Sequence, residues 1–229
     1  MSPKHLHSYK GKLNYKQIVD GMNVANRNAI RLVEDSQILF DAKRYASAAS
    51  LAILSIEESG KKGVLRRLAL AINDEEISSV WKDYRTHTKK NILWLMPQLI
   101  AEGARRLDDF GSLFINEAEH PYILDQVKQI SFYTDCLGKA HWSEPSLVVD
   151  EKLAAFLIRI AKMLISDRET EEKEIELWVK HMGPVKGNNY GAQKEALLHW
   201  FAELKELGLL PKGTNIFDLL DWLGLDINK

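Results

Sequence analysis

The sequence contains a single cysteine, Cys136, which excludes disulfide-stabilised folds and cysteine-based metal or redox sites. One thiol cannot form an internal disulfide. Without a second cysteine there is also no Cys-x-x-Cys spacing for a zinc ribbon or a redox centre. A reducing compartment fits this composition.

Long apolar runs are missing as well. No stretch approaches the roughly 18 consecutive apolar residues that a membrane-spanning helix needs. The first ten residues, Met1 to Lys10, contain no apolar core of a signal peptide. We therefore expect a cytoplasmic protein with no membrane partner.

Strand signals are also scarce, because β-branched residues are few and no segment alternates apolar with polar residues over a strand's length. Apolar residues recur instead at helical spacing, which predicts an all-α fold, an antiparallel helical bundle. A first helix is predicted over 14–43 and a second over 46–71. The second is apolar almost all round between Ala48 and Ile56, as is typical of a central helix packed on several sides.

The remaining pattern predicts a main domain over residues 1–182 and a small C-terminal helical appendage over 183–229. Within the main domain we expect a long helix over 80–102 that Pro97 kinks or ends, and another helix from Asp150 that continues through Glu176. Further helices are predicted over 105–117 and 122–137, with a loop over 138–145. In the appendage, apolar side chains share two helix faces: Leu197, Phe201 and Leu204, then Ile216, Leu219, Leu220 and Leu223.

Charge is distributed unevenly along the chain, although the net charge is only -1. Residues 1–70 carry 12 Lys and Arg against 6 Asp and Glu, whereas residues 166–229 carry 8 against 12. An acidic partner such as RNA could dock on the first segment. A solvated helix surface is the alternative interpretation.

The run from Glu57 to Gly63, Glu-Glu-Ser-Gly-Lys-Lys-Gly, interrupts the central helix with charges and glycines. Each glycine inside a helix costs about 1 kcal/mol relative to alanine, so something must offset that cost. Glu57 and Lys61 are spaced i,i+4, as are Glu58 and Lys62, and the glycines would let a neighbouring helix approach closely. The run is either an ion-pair network or a site in which Glu57, Glu58 and Lys61 are the candidate catalytic residues.

A second group of candidates lies on the predicted helix over 80–102, with His87, Lys90 and Asn91 on one face. If the two helices form an antiparallel hairpin about residues 73–78, these side chains face the level of Glu58 to Lys62. Paired with a glutamate, His87 could act as a general base or a metal ligand, whereas alone it is a structural histidine. The candidate binding residues are Lys82, Arg85, Lys90, Asn91, Tyr133 and Asp135, the last two at the rim of the same cleft.

Three segments together resemble the AbiV family of abortive-infection proteins. The alanine-rich helix from Arg44 ends in Glu57-Glu-Ser-Gly-Lys61, similar to that family's Glu-Glu-x-Gly-Lys. His87-Thr-Lys-Lys90 resembles its His-x-x-Lys. Tyr133-Thr-Asp135 and Trp142-Ser-Glu-Pro145 resemble its Tyr-x-Asp and Trp-x-x-Pro. The resemblance covers roughly residues 20–165 and implies a HEPN-like helical bundle, commonly a homodimer, that acts in bacterial phage defence by arresting or harming the infected cell.

The resemblance also implies a comparison with HEPN ribonucleases, which use an Arg-x(4–6)-His motif. Here Arg85 is too near His87, and the residue at the expected distance is Lys82. Lysine supplies charge but not the bidentate fork of arginine. Two hypotheses stay open: an effector enzyme that cleaves or modifies RNA, and a binding module that disables host or phage machinery. The missing arginine slightly favours the binding module, whereas the charged groups that interrupt a buried helix favour the enzyme.

Other functional classes lack their signatures. A di-iron bundle needs two Glu-x-x-His pairs, and only Glu117-Ala-Glu-His120 has that spacing, directly before a proline. Phosphate-loop, nucleophile-elbow and dinucleotide fingerprints are absent from the sequence. We expect no cofactor, no metal ion and no DNA partner, and we expect a phage or host protein, or RNA, as trigger or target.

Overall fold

The computed structural model describes residues 8–104, 107–114 and 118–210. These residues form an antiparallel bundle of helices with one short β-hairpin, so the predicted all-α fold class is confirmed. The α-helices are α1 (Tyr15–Asp41), α2 (Tyr45–Ala69), α3 (Asp74–Arg85), α4 (Met96–Ala101), α5 (His120–Phe132), α6 (Pro145–Val148), α7 (Glu151–Leu164), α8 (Glu172–Met182) and α9 (Tyr190–Glu206). The strands are β1 (Asp135–Leu137) and β2 (His141–Ser143), and 3-10 helices span Thr88–Lys90, Ile92–Leu95 and Leu107–Phe114.

The long helix α1 begins at a capping box in which the Asn14 side chain accepts a hydrogen bond from the Gln17 N–H, and the Gln17 side-chain oxygen accepts one from the Asn14 N–H. It runs unbroken through Gly21 to Asp41. The chain then reverses in a tight turn at Lys43, whose φ of 60° is in the left-handed region. This turn sends α2 back along α1.

Helices α1 and α2 pack as an antiparallel pair held by buried hydroxyl groups. Ser36 donates to the carbonyl of Ala48 at 2.7 Å, and Ser55 donates to the carbonyl of Ala29 at the same distance. Small side chains such as Ala52 face the contact and let the two backbones come close. Since α2 also packs against α3, α5 and α7, it is the central helix, as predicted.

Two clusters of buried apolar side chains fill the bundle along α2. The first joins the early half of α2 to α1, α5 and α7, and it includes Val33, Ile53, Ile56, Leu124, Leu157 and Ile160. The second joins the late half of α2 to α1, α3 and α8, and it includes Ile18, Met22, Leu65, Leu68, Trp81 and Ile175. The Glu57–Gly63 run lies between these two clusters.

The predicted long helix over 80–102 is wrong. Helix α3 ends at Arg85, and Thr86 is extended with φ -89° and ψ 125°. The chain then forms the 3-10 turn Thr88–Lys90, which lies against α2, and Pro97 lies in the first turn of the short helix α4, which begins at Met96, instead of kinking a long helix. The break allows the carbonyl of Lys90 to sit against Gly60, where a Cβ atom would lie 1.9 Å from that oxygen.

Three other predicted elements are also corrected. The helix over 122–137 ends at Phe132, and the predicted loop over 138–145 belongs to a hairpin in which Cys136 pairs with Trp142. The helix from Asp150 stops at Leu164 and does not continue through Glu176. Its stop has a physical cause, because the buried side chain of Asn26 binds both the N–H and the C=O of Ser166. Asn23 holds Thr170 in the same way.

Helices α8 and α9 pack on each other and dock on α2 through Arg66. The Arg66 guanidinium lies over the edge-to-face pair of Trp178 and Trp200, 5.7 and 5.4 Å from their ring centroids. Burial, with nearby Arg66 and Arg168, lowers the pKa of Lys62 to about 8.

The boundary at residue 183 stays a prediction, and the predicted face with Ile216 to Leu223 lies outside the described residues.

Among the helices within the described ranges, none combines the length and the apolar character needed to cross a membrane.

The two glycines of the central run give a matched test of this packing. Gly60→Ala should lower the free energy of unfolding by about 1–3 kcal/mol, because the new methyl group meets the Lys90 carbonyl. Gly63→Ala should raise it by about 0.5–1 kcal/mol, because Gly63 has open space around it and alanine favours helix. Urea denaturation of both variants measures the difference, and equal effects would contradict the close approach at Gly60.

Candidate functional site

The centre of the candidate site is the carboxylate of Glu57 on α2. Only 3% of this residue is exposed to solvent. Its Oε1 atom accepts from the ammonium of Lys128 at 2.6 Å, and its Oε2 atom lies 2.7 Å from Nδ1 of His87. A buried carboxylate is costly unless it is paired, and here each oxygen has its own partner from a different segment.

The ammonium of Lys128, on α5, lies between two carboxylates. Besides Glu57 it contacts Oδ1 of Asp125 at 2.7 Å, one turn earlier on the same helix. Burial lowers the pKa of Lys128, but the hydrogen bonds to Asp125 and Glu57 outweigh burial and raise it above its ordinary value. Lys128 therefore stays charged at neutral pH and fastens α5 to α2.

The imidazole of His87 is the exposed member of the group, with 55% of its side chain accessible. A carboxylate can only accept, so the contact with Glu57 assigns the proton to Nδ1 when the ring is neutral. The other nitrogen, Nε2, is then an unprotonated base. This arrangement of a buried carboxylate behind a histidine is the one that orients a general base in hydrolytic triads.

The 3-10 turn after His87 is positioned by its contact with α2. Lys90 is buried, and its carbonyl packs on Gly60. Burial lowers the pKa of Lys90, while the nearby Glu57 partly raises it again. Asn91 is completely buried, and its side-chain amide has no hydrogen-bond partner in the part of the chain that the structure describes.

The i,i+4 pairs expected within the central run do not form. Glu58 pairs with Lys61 at 2.6 Å, three residues on, and the ammonium of Lys61 lies 5.2 Å from the centre of the Tyr84 ring. Lys62 donates instead to Asn26 on α1 at 2.6 Å. The spacing rule was wrong here because partners on other elements compete with neighbours on the same helix.

The other predicted residues are distributed over three places. Lys90 lies at the site and Asn91 directly beside it. Lys82 and Arg85, on α3, lie toward the N-terminal residues instead, where Arg85 donates to the carbonyl of Tyr9 at 2.6 Å. Tyr133 and Asp135, at the end of α5 and in the hairpin, are exposed, and none of their described contacts reaches Glu57 or His87.

Sequence reasoning missed Lys128 and Asp125 as members of the site. A signal was present, because the spacing of Leu124, Lys128 and Ser131, four and three residues, places the lysine on the same helix face as an apolar leucine. In the structure this face of α5 is buried. A lysine on the buried face of a helix requires an acidic partner. The spacing identifies Asp125, three residues before Lys128, as one acidic partner. The second partner, Glu57, lies 71 residues away in sequence and has no local signal.

Potential metal ligands also meet at this place. The group consists of three side chains, Glu57, His87 and Asp125, whose ligand atoms lie within 4.8 Å of one another. The ammonium of Lys128 already contacts both carboxylates, at 2.6 and 2.7 Å. A divalent cation could therefore bind these three ligands only by displacing Lys128, and we assign the group no metal chemistry.

The bundle belongs to the HEPN-type helical domains, as the family model that matches the chain shows. The family model of AbiV matches residues 17–166, and the chain belongs to the AbiV family. No curated protein and no solved structure gives a significant match. The match includes Glu57, His87 and Lys128 and ends before α8, so α8 and α9 lie outside it. The family associates the chain with abortive infection, a form of phage defence.

Replacing Lys128 tests the charge network. Lys128→Met should lower the free energy of unfolding by about 3–5 kcal/mol, because the Glu57 carboxylate then stays buried without its ammonium. The double variant Glu57→Gln/Lys128→Met should lose clearly less than the sum of the two single variants, since it removes both charges. Urea denaturation gives the three values.

Lys89→Met is the matched control, because Lys89 is an exposed lysine beside the same site and should change stability by no more than about 0.5 kcal/mol. A small loss in Lys128→Met, equal to the loss in this control, would show that Lys128 does not neutralise Glu57.

Proposed function

We propose that the protein is an abortive-infection effector of the cytoplasm that acts on RNA or on translation by binding, through the face around His87. Its family supplies the phage-defence context. The observation that carries the binding mechanism is the internal pairing of the site's charges. Lys128 bridges the carboxylates of Glu57 and Asp125, and among these four side chains only that of His87 is more than half exposed.

This pairing limits what the site can do to a phosphodiester. Stabilising a phosphoryl transition state needs a cation that faces the substrate, and HEPN ribonucleases use arginine for this. The ammonium of Lys128 is directed to two carboxylates, and Lys90 is buried. Both terminal nitrogens of Arg85 already donate to the carbonyls of Trp81 and Tyr9, so Arg85 keeps its charge but cannot offer a free bidentate fork to a phosphate. In this arrangement a surface with one imidazole suits recognition better than cleavage.

One observation favours a second function, metal-independent RNA cleavage. The 2.7 Å contact between Glu57 and Nδ1 of His87 leaves Nε2 as a base on the accessible side of the ring. In such a reaction Nε2 takes the proton of a ribose 2′-hydroxyl, and the resulting oxyanion attacks the adjacent phosphorus and expels the 5′-oxygen. A second cation, such as Lys82 or a group from a partner subunit, would have to steady the phosphate.

A homodimer belongs to the same proposal, as does a phage or host protein that triggers the effector or is its target. The support for a protein partner is the exposure of large apolar side chains on successive elements: Tyr133, Leu137, Trp142 and Leu147. Trp142 and Leu147 have 77% and 82% of their surface exposed. Exposed apolar groups of this size are typical of interaction surfaces.

Phage challenge with RNA profiling tests the function. Wild-type protein, His87→Gln and His199→Gln are expressed in bacteria with and without phage, and growth, phage yield and total RNA integrity are followed. Wild type should reduce phage yield while total RNA stays intact. His87→Gln should reduce protection at least about tenfold, if the imidazole supplies about 1.4 kcal/mol of recognition.

His199→Gln is the matched control, because His199 is an exposed histidine on α9, outside the family match, and its loss should leave protection unchanged. Fragmented RNA in wild type and His199→Gln but not in His87→Gln would establish the ribonuclease and contradict the binding mechanism. Wild type without any effect on phage would contradict both.

A further inference from the structure

A second surface feature lies beside His87 and is not used by the charge network. It is an open cleft of about 500 Å³ between α3 and the residues before α1. Its lining residues are Ser8, Lys10, Ser78, Trp81, Lys82, Arg85 and Thr86. Thr86 directly precedes His87 in the chain, so one end of the cleft adjoins the candidate site.

The residues before α1 form one wall of this cleft because several contacts hold them to α3. The indole N–H of Trp81 donates to the carbonyl of Gly11 at 2.9 Å, and the Tyr9 ring packs edge-on against Trp81 with centroids 6.1 Å apart. Arg85 donates to the Tyr9 carbonyl. Residues 8–11 lie outside the family match.

The cleft is strongly positive. Lys10 and Lys82 are exposed, and neither forms an ion pair within the described part of the chain. The guanidinium of Arg85 donates to two carbonyls and lies 5.3 Å from the Trp81 ring centre. Carbonyls satisfy its N–H groups without cancelling its charge. Three positive charges therefore face one concave surface, and no acidic residue is among the described residues that line it.

Hydrogen-bond donors complete the lining. The hydroxyls of Ser8 and Ser78 have no hydrogen bond with any other described residue, whereas the Thr86 hydroxyl already donates to the Lys82 carbonyl at 2.9 Å. Two ammonium groups and two free hydroxyls match the several acceptor oxygens of a phosphate group. The Trp81 indole is nearly buried and its N–H is used, so the cleft offers no open aromatic face for stacking a base.

We propose that this cleft binds the phosphate groups of a ligand, either the backbone of a single-stranded RNA or a free nucleotide, with Lys10 and Lys82 as the main contacts. The assignment depends on the charge and shape of the cleft. Where the ligand is RNA, it extends the proposed function, because the bound backbone would lead toward His87.

Binding to purified full-length protein tests the proposal. The probes are a short labelled single-stranded RNA, ATP and a polyglutamate peptide, each titrated at several salt concentrations. Lys10→Ala/Lys82→Ala should weaken RNA or ATP binding at least about tenfold at low salt. For RNA, the slope of log K against log salt should fall by about 1.4, since each lost phosphate contact contributes about 0.7.

Two variants control for the loss of charge and for folding. Lys139→Ala/Lys152→Ala removes the same charge from the hairpin and α7, which do not line the cleft, and should bind like wild type. Ser78→Asp places a carboxylate inside the cleft at an exposed helix position and should abolish binding with an unchanged circular dichroism spectrum.

The outcomes are distinguishable. Binding is cleft-dependent when Lys10→Ala/Lys82→Ala and Ser78→Asp weaken it. Cleft-dependent binding of RNA but not of ATP supports the proposal with an RNA backbone as the ligand. Cleft-dependent binding of ATP supports it with a free nucleotide as the ligand. No binding of either probe, an equal loss in the Lys139/Lys152 control, or binding of polyglutamate as tight as that of RNA overturns it. Phage protection without cleft-dependent binding would overturn the cleft alone and leave the proposed function standing.

Discussion

The Glu57 carboxylate is buried at 3% exposure, and the need to neutralise it organises the centre of this protein. One oxygen binds the Lys128 ammonium of α5, and the other faces His87 in the segment after α3. A buried charge that loses its partner is strongly destabilising, so these contacts fix where α5 and the His87 turn lie relative to α2. Gly60, one turn farther along α2, admits the Lys90 carbonyl and completes the same junction.

This junction explains why two short motifs that are 30 residues apart belong together. Glu57 and Gly60 of the first motif contact His87 and Lys90 of the second, acid against imidazole and glycine against carbonyl. The charged groups of Glu57, Asp125 and Lys128 are therefore paired within the protein, and the His87 imidazole is the group that reaches the surface. A neighbouring cleft with Lys10, Lys82 and Arg85 holds the positive charge that the network itself does not present.

Sequence reasoning reached the helical bundle, the central helix and the meeting of His87 with a glutamate of the central run, because periodicity and a helix reversal are local signals. The reversal was placed too late, at 73–78, since α3 already begins at Asp74. Sequence reasoning failed where distant groups decide the structure. The turn after Arg85 packs the Lys90 carbonyl against Gly60 of a different helix, and the end of α7 depends on Asn26 binding the backbone of Ser166. Lys128 joined the site across 71 residues, and the cleft needs residues before α1, so neither could be read from spacing along one helix.

The most direct measurement is the tautomer of the neutral His87 imidazole, read from the ¹⁵N chemical shifts of its ring and assigned with His87→Gln. A buried carboxylate can only accept, so Glu57 should hold the proton on Nδ1 and leave Nε2 unprotonated. Glu57→Gln should reduce that preference, since the amide oxygen is a weaker acceptor. A ring protonated on Nε2 in the wild-type protein, unchanged by Glu57→Gln, would contradict the central role of Glu57.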